Sequence, residues 1–375
     1  MRVVDRGTIF DARSAPREAR FCTFPTLVRQ DDGRLVAGFR TGSAKDSADE
    51  DVRIMASDDE GATWQSVSEG FGDVPPGSGG RIRCIALTVV GRYKSIASLS
   101  WLDRSNPTLP MFNPQTEGIL PTKVLFAESE GGGCSWTDPR EVPLLPHKGN
   151  AITGSIIVLK DGCLALPYEA WKEYDDTGPG KHHASLRISP DGGKMWPDMT
   201  AIAHYPAGRV LYWDQRVTVD PASGRLIAMF WSYDRCAKRD LDIHIAWGTP
   251  DGRQWSAPQS TGIAGQIAAP LAIDGQRVLA TYVHRHYPPS LRTVLSSDFG
   301  KTWTVAEELV FYEKAYSKQE SGMGGKRDFA DYWTDMGVWT FGHPTALLLP
   351  KGDVMVAFYA GDETAMSIYW VRIAL

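Results

Sequence analysis

The 375-residue chain contains no apolar run of the ~18 residues that a membrane-crossing helix requires, so no spanning helix is expected. Its first residues, Met1 to Arg6, lack the apolar core of a signal peptide. A cytoplasmic location is therefore expected, unless a leader has been removed. Cysteine is scarce. The five, Cys22, Cys84, Cys134, Cys163 and Cys236, are far apart, odd in number and form no CxxC pair. That excludes a complete disulfide framework and fits reduced, mostly buried thiols. Positive charge is not in excess, with 40 Lys and Arg against 45 Asp and Glu, a net of −5. Nothing there points to nucleic acid or an anionic membrane as partner.

Tryptophan, glycine and proline are plentiful, at 13, 37 and 24 residues, as in a turn-rich all-β chain. A pattern recurs: Ser or Thr, then Asp or another polar residue, Gly, and a Trp about three residues on. It occupies Ser57–Trp64, Ser129–Trp136, Ser189–Trp196, Thr249–Trp255 and Ser296–Trp303. The Asp or Ser side chain can bond nearby backbone N–H groups and hold a tight turn. Gly supplies the positive φ, and the Trp packs beneath the turn. The motif is thus structural. A second repeat, a Gly turn followed by an apolar strand, lies at Gly33, Gly91, Gly162, Gly224, Gly275 and Gly352. These six turns read as hairpins between the first and second strands of six blades. Each of the first five is followed by one Trp turn. The sixth is followed only by Ser367–Ile373, so its blade needs a fourth strand, and Val3–Phe10 is available to supply it. Residues 1–375 are expected to form one propeller domain, closed by strands from both termini.

The Ser/Asp–Gly–Trp pattern resembles the Asp box of sialidases, and the chain is similar to the sialidase/neuraminidase superfamily over nearly its whole length. The resemblance implies a six-bladed β-propeller of four-stranded antiparallel blades, with the boxes on the rim. It also puts the site on the opposite loops, which join second to third strands and one blade to the next. Blades need only ~40–50 residues, so the surplus lies in loops, where function concentrates. The largest surplus, 314–337, has room for a short helix or lid.

Those loops and the strands entering them are rich in charged and aromatic residues. Blade 1 offers Arg20, Arg40, Asp46, Asp49, Glu50 and Asp51, and blade 2 offers Arg81, Arg83, Trp101, Asp103 and Arg104. Blade 3 has Glu169, Trp171, His182 and His183. Blade 4 has Tyr212, Trp213, Asp214, Arg216, Arg235 and Asp240. Blades 5 and 6 add Gln266, His284, Arg285, His286, His343 and Tyr359. Carboxylates beside arginines can act as acid and orienting base, Arg forks bind carboxylates, and aromatic faces suit sugar rings. The resemblance implies an acid/base Asp in the first of these loops, for which Asp49 and then Asp51 are candidates. It also implies a Tyr nucleophile, Tyr359 or Tyr212, activated by Glu169, and later-blade arginines among Arg235, Arg285 and Arg216. Arg20, Arg40, Asp46, Trp101, Asp214 and His284 complete the substrate-binding set. The family motif departs at Cys22-Thr23-Phe24-Pro25, where Thr23 stands in place of the arginine that grips sialic acid.

His284 and His286 share one face of a strand. Without a Cys or a spaced third ligand they are read as hydrogen-bonded or catalytic, and neither metal nor cofactor is expected. The expected activity is exo-glycoside hydrolysis of a terminal acidic or modified sugar. The alternatives are a polysaccharide lyase and a non-catalytic glycan-binding propeller.

Overall fold

The computed structural model describes residues 1–144, 146–180, 182–205, 208–314 and 326–375. The chain forms six small antiparallel sheets, each made of strands consecutive in sequence except the last. The sixth sheet takes Phe341–Leu348, Val354–Gly361 and Met366–Ala374 from the C-terminal part, and Arg2–Phe10 pairs antiparallel with Met366–Ala374. The architecture is a six-bladed β-propeller. Blade 1 is Thr23–Arg29, Leu35–Thr41, Asp51–Ser57 and Gln65–Ser68. Blades 2 to 5 follow at Gly80, Gly149, Val210 and Gln266. The six Gly turns read from the sequence fall between first and second strands.

The Trp turns lie between third and fourth strands and hold themselves together as their residue types dictate. In blade 1 the Ser57 hydroxyl bonds Asp59 and accepts from Gly61 N at 2.9 Å. Asp59 accepts from Thr63 N at 2.8 Å, and the Trp64 indole donates to the Gly61 carbonyl at 3.0 Å. Blade 5 repeats the arrangement through Ser296, Asp298, Gly300, Thr302 and Trp303. All these bonds are local, which is why the turns are legible in the sequence.

First strands of neighbouring blades lie side by side around the axis, and apolar clusters fill the spaces between sheets. Five of the six first strands shift register near their start, at Thr23/Thr26, Ile82/Cys84, Trp213/Arg216, Gln266/Ala268 and Gly342/Thr345. Four of these bulges hold a non-glycine residue at positive φ: Phe24 (56°), Asp214 (48°), Ile267 (28°) and His343 (43°). Such a conformation persists only where its surroundings impose it. A bulge re-aims a side chain, and Phe24, Arg83, Asp214 and His343 from four blades all line the axial cavity.

Within the long surplus segment, residues 315–325 lie outside the described ones. Its end forms the helix Phe329–Val338, as the surplus allows. Tyr332 and Met336 of this helix line the cavity together with Met111 and Phe112 from the long loop of blade 2. Tyr332 donates to Asp240 at 2.9 Å, as does the Trp231 indole at 2.8 Å, while the Gln266 amide donates at 3.0 Å. This buried carboxylate fastens the helix to blades 4 and 5.

Candidate active site

The axial cavity has a volume of about 470 Å³. Its wall comprises Phe24, Arg83, Glu169, Asp214, Arg216 and His343, with aromatic rings above them.

Glu169 is the most strongly perturbed of the carboxyl groups predicted from sequence. It stands on the second strand of blade 3, is 4% exposed, and accepts from the Gln215 backbone N–H at 3.3 Å. Burial, followed by the negative charge of Asp214, pushes its pKa well above the ordinary carboxyl range. Asp214 is also raised by burial, with Arg216 opposing. The pair therefore favours holding a proton that separate carboxylates would release. Gln215 fixes this bulge by donating its side-chain amide to the Tyr168 and Ser185 carbonyls at 2.7 and 2.8 Å.

Arg216 connects the carboxyl pair to His343. Its Nη2 lies 3.9 Å from Asp214 Oδ1 and 3.0 Å from His343 Nδ1. A guanidinium only donates, so Nδ1 accepts and the proton of the neutral ring is on Nε2. Burial, then Arg216, Lys45, Arg285 and Arg83 in turn, drives the His343 pKa well below its ordinary value. Four cations from blades 1, 2, 4 and 5 thus converge on one neutral imidazole. Tyr359 lies beside it, the two ring centroids 6.3 Å apart, with Phe24 4.4 Å from His343. Lys45 Nζ is 5.3 Å from the centre of the Tyr359 ring and donates to the Trp339 carbonyl at 2.8 Å. Arg285 packs over Trp339 and Phe341 at 4.3 and 4.4 Å and faces a neighbouring cleft of about 220 Å³.

Gly342 makes this crowding possible. A β-carbon there would stand 2.9 Å from the Tyr359 hydroxyl and 3.0 Å from an Arg285 guanidinium nitrogen, and its φ is +154°. Gly342→Ala is expected to displace both groups and destabilise the fold by about 1–3 kcal/mol, the usual cost of overpacking. Urea unfolding measures this, and an unchanged midpoint would contradict the packing described.

Arg83 is held from behind. Glu50, fully buried, accepts from Arg83 Nη1 at 2.7 Å, Arg40 Nε at 2.9 Å and Arg104 Nε at 2.9 Å. Asp46 also accepts from Arg83, at 3.1 Å, and from Arg104. Burial alone would raise the Glu50 pKa, but Arg83, Arg40 and Arg104 outweigh it and hold the group below its ordinary value. Arg40 and Asp46, candidates for substrate binding, thus serve this ion cluster, Arg40 from its buried centre and Asp46 from its exposed edge. Arg40 has no exposed surface.

The other candidates divide. Trp101 lines the cavity. Asp49 is exposed and accepts from Ser43 N and Oγ at 3.1 and 3.0 Å. Burial opposes these bonds and one from Ser47, but they prevail and hold it ionised below the usual range, the reverse of what an acid needs. Asp51 is raised by burial, yet its carboxylate accepts from Val52, Phe71 and Gly72 N and pins a loop away from the axis. The Tyr212 ring packs between Phe230 and His244 inside blade 4. Strand alternation gives the cavity to Trp213 instead. Arg20 is exposed, its Nε 3.4 Å from the Ala15 carbonyl. Arg235 pairs with Glu117 at 2.6 Å, joining the long blade 2 loop to blade 4. His284 lies 3.3 Å from the Pro288 carbonyl, its ring 5.5 Å from that of His286. Lys45, Phe24, Tyr332 and Trp339 were not singled out from sequence. The Phe24-Pro25 and His343-Pro344 pairs were the available signal, since proline in an inner strand marks a bulge.

The chain matches no protein-family model and no curated protein. Solved structures resemble it at the level of fold. A protein of unknown function from Dyadobacter fermentans superposes with a TM-score of 0.71 at 20% identity, covering 100% of this chain and 99% of that one. The Hadza microbial sialidase Hz136 gives 0.67 at 15%, covering 99% and 68%. The Trypanosoma rangeli sialidase in complex with the inhibitor DANA gives 0.67 at 14%, covering 98% and 59%. The fold is that of the sialidase-like propellers.

Proposed function

We propose that the protein is a sialidase-like glycoside hydrolase acting on a terminal anionic sugar at the axial cavity. The observation carrying this reading is the buried Glu169 coupled to the half-buried Asp214 beside Arg216 and His343, with four cations gathered around the imidazole. A raised carboxyl supplies the proton that the leaving oxygen needs. Arg83 and Arg216 provide charge for the anionic group of the sugar. Tyr359, its ring beside His343 and Lys45, is the nucleophile of this scheme.

The anion grip differs from the family motif. Thr23 is fully buried and Phe24 takes the cavity position in blade 1, while the arginine comes from blade 2 as Arg83. This favours a sugar other than common sialic acid. A panel of aryl glycosides of sialic, uronic and matched neutral sugars tests the reading. Turnover confined to an anionic member supports it, and a folded protein inactive on all of them, or active only on neutral ones, contradicts it.

One observation favours a second reading. A neutral histidine beside a tyrosine, ringed by cations, also suits β-elimination from a uronate-containing polysaccharide. Release of unsaturated, ultraviolet-absorbing products without net addition of water would identify a lyase.

A further inference from the structure

We infer that His147, His183 and His204 form a binding site for a divalent transition-metal ion such as zinc, on the loop side of blade 3 and apart from the axial cavity. The chain has only 8 histidines, and these three come from three segments of it. His147 lies in the connection entering blade 3, His183 opens the third strand of that blade, and His204 follows its fourth strand. None of the three is on the wall of the axial cavity. No ligand spacing announces the site in the sequence, where 36 residues separate His147 from His183.

The first two are already set as ligands. His147 Nε2 and His183 Nε2 stand 3.1 Å apart, and the ring centroids are 4.6 Å apart at an interplanar angle of 68°. Zinc–nitrogen bonds of about 2.0–2.1 Å at the tetrahedral angle hold two ligating nitrogens about 3.3 Å apart. The opposite nitrogen of each ring is bonded to a hydroxyl, His147 Nδ1 to Tyr168 at 3.0 Å and His183 Nδ1 to Ser185 at 2.7 Å. These hydroxyl oxygens can accept from Nδ1–H. Each Nε2 then carries a lone pair, and two facing lone pairs call for a cation between them. Metal-binding histidines are oriented by such outer bonds. Burial first, and Arg187 second, lowers the His147 pKa, while burial, then His147 and His204, holds that of His183 at about 4. Both rings are therefore neutral at pH 7, as ligation requires.

His204 supplies the third position. Ala203 pairs with Ala184, so the residues next to them, His204 and His183, leave the sheet side by side. His204 is exposed, and the other two are half-buried. As it stands His204 is turned away, and no three such groups among the described residues are close enough together to hold a metal. A rotamer change of this exposed side chain completes the set, and water fills the fourth position. Imidazole ligands suit zinc, copper and nickel, whereas magnesium and calcium take oxygen. The bound ion ties the connection entering blade 3 to the third and fourth strands of that blade.

The test titrates the untagged, chelator-treated full chain with zinc chloride by calorimetry, with magnesium chloride as control, and follows the melting temperature. Circular dichroism checks that each variant is folded. One zinc ion per chain is expected to bind and to raise the melting temperature as its concentration rises, and magnesium is expected to do neither. His147→Ala and His183→Ala should each abolish the binding. His204→Ala, a change at the surface, should weaken it by about 10-fold or more, and Tyr168→Phe by about 10-fold through loss of the outer bond. His286→Ala should leave it unchanged. The site would be overturned by no binding at millimolar zinc, by binding that survives His147→Ala or His183→Ala, by parental affinity in His204→Ala, or by loss of binding in His286→Ala. The His147 and His183 rings would then share only a hydrogen bond.

Discussion

Glu169→Gln is expected to lower kcat by about 10²- to 10⁴-fold, the range of a lost general acid, while leaving the propeller folded. Glutamine keeps the shape of a protonated glutamate but has no proton to give. Burial first, and then Asp214, raises this carboxyl. A carboxyl raised in the folded state contributes stability below its unfolded pKa, and that contribution fades as pH rises through the folded value. The substitution should therefore flatten the stability of the protein toward alkaline pH while removing turnover. Steady-state kinetics and urea unfolding across pH measure the two effects. Undiminished turnover would remove Glu169 from the mechanism. Asp214→Asn provides the complementary case, because it deletes the neighbouring charge and should let the Glu169 pKa fall toward the ordinary range.

Glu50→Ala is expected to cost about 3–5 kcal/mol, the scale for removing one partner from a buried ion cluster. Arg40, Arg83 and Arg104 all donate to this carboxylate, and after its loss Arg83 and Arg104 keep Asp46 while Arg40 loses the carboxylate it pairs with. Urea unfolding measures the cost, and a change of less than about 1 kcal/mol, typical of a surface pair, would contradict it. The pH dependence has the opposite sign to that of Glu169. The Glu50 pKa is depressed in the fold, so its stabilisation is fully present above the unfolded carboxyl value and is lost as pH falls through the folded one. The variant should lose part of the parent's acid sensitivity. It should also weaken binding of an anionic sugar, because Arg83 is no longer held at the cavity wall.

The difference between these two glutamates shows what the sequence could and could not convey. Six Gly turns and five Trp turns were readable because each is held by bonds within a few residues, as Ser57, Asp59, Gly61 and Trp64 are. The closing strand was readable because the sixth blade ran out of chain. The site is built otherwise. Asp49 and Glu50 are neighbours in one charged loop, yet the first faces solvent and the second is sealed among three arginines. The path of the loop decides between them, and nothing local records it. Tyr212 and Trp213 alternate on one strand, and a single step of register sends the tryptophan to the cavity and the tyrosine into blade 4. Glu169, Asp214, Arg216, Arg285 and Tyr359 were named from loop position, and all stand at or beside the cation cluster. Asp214 and Arg216 reach the cavity through a bulge that comes from register between strands, and no proline marks it in the sequence.

The cavity's proposed chemistry is probed most directly by kcat/KM on the best anionic methyl glycoside as a function of pH. Glu169 and Asp214 share a raised carboxyl site, so activity should hold through the region near pH 4 where ordinary carboxyl groups ionise and fall only on a limb well above it. That limb should move in Asp214→Asn. Activity that falls away near pH 4, or an alkaline limb that stays in place when Asp214 is neutralised, would contradict a proton held between these two residues.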